Sequence, residues 1–186
     1  MIADDFLKKK IAAAIRTDAD TEAALESKVD VVVLLYSDIM TVSQVIDRIH
    51  EKGKKVIIHV DFAEGIGKDR AGLEYLKQLG ADGICTTRTN LVRIAKALGL
   101  LTVQRFFMID SHSVGTSVDS IKISKPDIVE IMPAIVTKKI REFSALVEVP
   151  VIAGGLVETE DEVQAAIDAG ASMVSTGDPG LWNLEI

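Results

Sequence analysis

Eight short apolar runs recur along the chain, each separated from the next by a stretch whose apolar residues fall at helical spacing. They are Ile11-Ala12-Ala13-Ala14-Ile15, Val31 to Leu35, Val56 to Phe62, Asp82 to Thr86, Leu100 to Ile109, Asp127 to Met132, Val151 to Leu156 and Ala171 to Gly177. A strand buried on both faces of a parallel sheet reads as such an unbroken run, whereas the spacing between runs reads as a helix. Steady alternation implies a parallel sheet. Eight units favour closure over an open doubly wound sheet. The expected fold is therefore α/β: a compact (β/α)₈ TIM-type barrel in a single domain. At 186 residues the chain is shorter than most such barrels, so its loops must be short. The tail Asp178-Pro179-Gly180-Leu181-Trp182 leaves room for one turn, a truncated final helix.

The last βαβ unit says most about function. Gly154-Gly155 and Thr176-Gly177 close its two strands, side by side at their carboxyl ends. Glycine lets an anion approach the backbone, and N–H groups opening the next helix can point at that anion. The loops after the seventh and eighth barrel strands are the usual phosphate site. A glycine doublet alone would signal only tight turns. Its pairing with a second small-residue strand end predicts a phosphorylated small-molecule ligand on Gly154, Gly155, Thr176 and Gly177.

Polar residues that interrupt apolar strand ends mark the same face. His59 and Asp61 are two apart in one run and so share a side of the strand. Glu130 in the sixth run and Arg105 (or Gln104) in the fifth can join them, and Arg16 and Arg88 follow the first and fourth runs. Taken singly, His59 reads as a core histidine and Glu130 with Arg105 as a buried structural ion pair. Taken together they predict a polar cup, with arginines suited to an anion and carboxylates to hydroxyl groups. Asp61 or Glu130 could serve as a general base and His59 as an acid. A metal could use His59, Asp61 and Glu64, but no tight ligand motif is present. No catalytic residue, metal or cofactor is assigned. Gly65-Ile66-Gly67 lacks the third glycine of a dinucleotide fingerprint, because position 70 is Arg.

Charge and composition narrow the partners. The formal charge is 21 − 28 = −7, so the surface as a whole repels nucleic acid, and any RNA contact must be local. The eight aromatic residues leave few stacking platforms. A lone cysteine, Cys85, excludes an intramolecular disulfide and reads as a small core residue. No apolar run reaches the length of a membrane span, and the segment Met1 to Lys10 lacks the order of a signal peptide. A cytoplasmic protein is expected.

Four segments in register carry a resemblance: His59-Val60-Asp61-Phe62-Ala63-Glu64-Gly65-Ile66, Ala81 to Leu91, Gln104 to Ser111, and Ile152-Ala153-Gly154-Gly155-Leu156. From about Ile11 to Trp182 the chain resembles the bacterial glycerol uptake operon antiterminator family. It departs at Phe62, where the family tends to carry Leu, and at Asp178-Pro179. The resemblance implies a regulator that responds to glycerol 3-phosphate and acts on the mRNA leader of glycerol-utilisation genes to prevent early termination. On that footing, Arg70 and Arg93, near Lys68 and Arg88 after the third and fourth strands, are the expected RNA contacts. A homo-oligomer would bring two such patches together and raise avidity without new contacts. Two other readings fit the residues: an enzyme acting on a small phosphorylated substrate, and a ligand-binding scaffold without RNA contact.

Overall fold

The computed structural model describes residues 2–108 and 110–186. Eight parallel strands close into a barrel in the order β1-β10-β9-β8-β7-β6-β4-β2. In chain order these are β1 (Ile11–Ile15), β2 (Val31–Leu34), β4 (Lys55–His59), β6 (Gly83–Thr86), β7 (Leu101–Phe107), β8 (Ile128–Met132), β9 (Val151–Gly154) and β10 (Met173–Thr176). The alternating α/β barrel expected from the eight runs is the observed fold. The expected strand end at Ile109, like the Met1 end of the leading segment, lies outside the described residues.

Because successive side chains of a strand point to opposite faces, each strand contributes to two cores. Ala12, Ala14, Val33, Ile57, Cys85, Val103, Ile128, Ile152 and Met173 pack in one buried cluster inside the barrel. The alternate residues, among them Ala13, Val32, Ile58, Ile84, Val129, Ala153 and Val174, pack outward in a second cluster. The helices meet them there through apolar stripes: Val42, Ile46 and Ile49 of α3 (Val42–Glu51), Leu73 and Leu76 of α4 (Arg70–Gln78), and Leu91, Val92 and Ala95 of α5 (Thr89–Ala97). Gly53 and Gly99 follow α3 and α5 with φ of 69° and 77°, the left-handed turn that ends a helix most easily without a Cβ.

Several elements differ from expectation. A short helix α1 (Ile2–Phe6) precedes the first strand, and its Ala3 and Phe6 join the inner cluster, plugging the barrel at the amino ends of its strands. The helix α2 (Asp18–Glu26) is capped by Thr17, just outside its first turn. Asp20 in turn accepts the N–H of Thr17, completing a capping box. The run expected from Val56 to Phe62 stops as a strand at His59, and Val60–Phe62 form one 3₁₀ turn. Beyond that turn β5 (Ala63–Glu64) pairs with β3 (Ser37–Asp38) as a two-stranded flap outside the barrel. The remaining helices are α6 (Ser111–Ser124), α7 (Thr137–Ser144) and α8 (Glu160–Asp168). The truncated last helix is a single 3₁₀ turn, Pro179–Leu181. Behind it the buried Trp182 donates its indole N–H to the Thr176 carbonyl at 2.9 Å, closing the barrel seam.

Candidate functional site

The C-terminal ends of the strands open into a cleft of about 960 Å³, lined by Arg16, Arg105, Phe107, Glu130, Met132, Gly155 and Gly177 among others. Strand register explains the centre of its floor. Arg105 of β7 and Glu130 of β8 are direct register partners, so their side chains enter the barrel at the same level. Arg105 Nε donates to Glu130 Oε2 at 2.7 Å, with side-chain exposures of 7% and 4%. Burial works against the Arg105 charge, but the Glu130 carboxylate prevails and raises the guanidinium above its ordinary pKa. Cys85, from β6, places its Sγ 3.6 Å from the same Oε2. Burial, and after it Glu130, pushes that thiol well above the ordinary range, so Cys85 stays a neutral thiol.

His59 ends β4 one position along the barrel wall, in register with Cys85. It is 1% exposed, and neither ring nitrogen has a hydrogen-bond partner among the described residues. Burial, helped by the nearby Arg105 charge, lowers its pKa to about 4. At neutral pH the ring is therefore uncharged, with one donor and one acceptor unfilled. Phe62 lies against it, ring centroids 4.6 Å apart and tilted by 32°.

Asp61 sits in the 3₁₀ turn rather than on the strand, and its oxygens are engaged. One accepts the Thr86 hydroxyl at 2.7 Å; the other accepts the Thr87 N–H at 2.8 Å and the Thr87 hydroxyl at 3.0 Å. Burial opposes the charge, yet these three donors hold its pKa below the usual carboxylate value. Arg88 Nε lies 3.5 Å away, its side chain half exposed. Asp61 thus ties the end of β4 to the end of β6. Asp61→Asn is expected to cost about 1.5–3 kcal/mol of stability, because hydrogen bonds to an ionised group are lost. A melting curve checks this; an unchanged melting temperature with lost ligand affinity would make Asp61 a ligand contact instead.

The glycine rim divides by role. Gly154 is buried, and a Cβ on it would lie 2.5 Å from Glu130 Oε1, so its missing side chain makes room for the carboxylate. Gly155, at φ 81°, and Gly177 border the cleft. Gly177 adjoins Arg16, whose Nη1 stands 3.9 Å from where a Cβ would be. The Thr176 side chain turns away: its hydroxyl donates to the Val157 carbonyl at 3.0 Å and accepts the Asp178 N–H at 3.1 Å. Asp178 Oδ1 accepts the Gly180 N–H at 2.8 Å. Gln104 also points outward, bonded to Thr89, Ser120 and Ser124 between α5 and α6, so Arg105 is the inward member of that pair. Arg70 opens α4 and pairs with Glu74 at 2.8 Å, while Arg93 is exposed on α5. The structure brings Arg16, Arg105, Glu130, Gly155 and Gly177 to one cleft, with His59 beside its floor. It sets Asp61 and Arg88 in a neighbouring tie.

Phe107, Met132 and Ser175 line the cleft without having been singled out from sequence. Period two is the signal that finds them: each lies two residues from Arg105, Glu130 or Gly177 and so shares its face.

Fold and cleft define a small (β/α)₈ barrel with a polar mouth at the carboxyl ends of its strands. The family model described as glycerol-3-phosphate responsive antiterminator matches residues 11–182, and the chain belongs to that family. A glycerol uptake operon antiterminator regulatory protein from Listeria monocytogenes str. 4b F2365 superposes with a TM-score of 0.89 at 32% identity, covering 94% of this chain and 95% of its own. A glycerol uptake operon antiterminator-related protein from Thermotoga maritima MSB8 gives 0.85 at 33% identity, covering 94% and 98%. The protein named "Uncharacterized protein YgcP" from Escherichia coli (strain K12) is 33% identical over 175 residues, 94% of this chain and 92% of its length.

Proposed function

We propose that the chain is a cytoplasmic glycerol 3-phosphate sensor that acts on the mRNA leader of glycerol-utilisation genes to prevent early termination. The observation that carries this reading is the two-ended cleft, in a chain whose family is described as glycerol-3-phosphate responsive. At one end Gly155 and Gly177 bare the backbone beside Arg16, which suits a phosphate. At the other the Arg105–Glu130 pair supplies charged donors and acceptors for hydroxyl groups, and the uncharged His59 ring, buried behind the pair and outside the cleft lining, adds a donor and an acceptor for a ligand that reaches past it. The cup recognises rather than transforms: Glu130 is held by Arg105 instead of being poised as a free base.

Gly177 offers a test at a position where a Cβ by itself meets only ordinary contacts, 3.4 Å from the Ala14 carbonyl oxygen and 3.9 Å from Arg16 Nη1. Gly177→Val is expected to weaken glycerol 3-phosphate binding by about tenfold or more, roughly 1.4 kcal/mol. Calorimetric titration reads the affinity and thermal melting confirms the fold. Wild-type affinity in the folded variant would remove this rim as the phosphate site. Leader RNA binding with and without the ligand then tests the regulatory half.

A further inference from the structure

Most of the chain's few aromatic rings are consumed by packing. Trp182 and Phe143 are fully buried, and Phe6 plugs the closed end of the barrel. Among the described residues three are strongly exposed: Tyr36 at 47%, Phe62 at 57% and Phe107 at 50%. All three emerge at the ligand end. Tyr36 lies between β2 and β3, Phe62 in the turn after β4, and Phe107 ends β7. Around the barrel the strands run β2, β4, β6, β7, and the half-exposed Arg88 follows β6. The rim therefore reads ring, ring, guanidinium, ring along one arc.

The alternation bears on what covers this surface. A half-exposed ring forgoes about half of the roughly 1.5–3 kcal/mol that full burial gives, and a purely apolar partner would desolvate the Arg88–Asp61 pair without offering it a hydrogen bond. Unpaired bases stack on aromatic faces and on guanidinium planes, and their phosphates accept from arginine. With a formal charge of −7 the protein lacks general attraction for a polyanion, so local stacking is the route left to it. We propose that Tyr36, Phe62, Arg88 and Phe107 form a platform on which two or three unpaired RNA bases stack at the rim of the ligand cleft.

The platform rests on the RNA half of the proposed function and adds how the ligand reaches it. Phe62 leans on His59, whose ring nitrogens await partners beside the cleft floor. A ligand hydroxyl bonded to His59 fixes the ring that supports Phe62, so ligand and RNA favour the same arrangement. Such coupling is reciprocal: RNA raises ligand affinity by the factor by which ligand raises RNA affinity.

The test is fluorescence anisotropy with the labelled in vitro transcribed leader of the gene cluster that encodes this chain, at saturating glycerol 3-phosphate. Tyr36→Ala and Phe107→Ala are each expected to weaken RNA binding by about 5- to 150-fold, the loss of one stacked base. Their salt dependence should match wild type, whereas Arg88→Gln should lower the salt slope by about one. Hybridising the leader to its complement should abolish binding. Phe62→Ala should still bind glycerol 3-phosphate but lose the ligand's effect on RNA. If wild type binds the leader and the ring variants bind equally well, the platform is wrong and the RNA reading stands. If saturated wild type does not bind the leader, both fall. If sedimentation shows a dimer that Tyr36→Ala or Phe107→Ala dissolves, with RNA affinity unchanged, the rim belongs to a second copy and the platform is overturned.

Discussion

Glu130→Ala is expected to destabilise the protein by about 3–5 kcal/mol, because it strands the Arg105 guanidinium in the barrel without its counter-charge. For a chain of this size each kcal/mol moves the melting temperature by roughly 2–4 °C, so the drop should be roughly 6–20 °C. The pair itself need not be stabilising. Two desolvated charges lose about what their attraction returns, and an apolar pair of similar volume is often as stable. The double variant Arg105→Met with Glu130→Leu should therefore recover most of the loss while binding no glycerol 3-phosphate. That contrast would show the pair retained for recognition. A double variant as unstable as Glu130→Ala would show that its shape, including the fit of Glu130 against Gly154, matters more than its charge.

Replacing His59 by Leu should change how stability depends on pH. In the folded protein burial lowers the His59 pKa to about 4, against 6.5 for an unperturbed ring. Between those values the unfolded chain binds the additional proton, so stability is complete above pH 6.5 and falls as the solution is acidified through the window. By pH 4 the loss amounts to about 3 kcal/mol. His59→Leu removes that loss, so its denaturant-unfolding free energy should be nearly flat from pH 6.5 to 4.5 where wild type declines. At pH 7 the variant should be as stable as wild type or more so, since two buried unpartnered nitrogens disappear. Its affinity for glycerol 3-phosphate should fall at every pH. Parallel pH profiles for the two proteins would mean that His59 is not held neutral in the folded state.

The barrel was legible because each signal behind it is local. Runs such as Val31 to Leu35 have no polar face and read as strands buried on both sides, and the stripe Val42, Ile46, Ile49 reads as a helix that ends at Gly53. Three local features were harder to read. Nothing in Ile2-Ala3-Asp4-Asp5-Phe6 marks a plug, because a five-residue helix draws its stability from the barrel floor rather than from its own sequence. Asp61 looked like a strand residue because apolar neighbours continue past His59; three hydrogen bonds from Thr86 and Thr87 hold the chain there in a turn. The flap of β3 and β5 joins two residues from each of two distant loops, too few to leave a periodic trace.

The sequence by itself determined which residue types stand at the strand ends: glycines after the last two strands, a histidine, an arginine and a glutamate inside otherwise apolar runs. Tertiary structure decided which of them meet. Arg105 faces Glu130, while the adjacent Gln104 faces the helices, because a one-residue step along a strand reverses the side chain. Gly154 became the space for a carboxylate and Gly177 the neighbour of Arg16 only once β8, β9, β10 and β1 lay side by side. Thr176 turned outward to Val157 for the same reason that Arg105 turned in. Periodicity is written within one segment, whereas the level and face at which two segments meet are set by the shear and closure of the whole barrel.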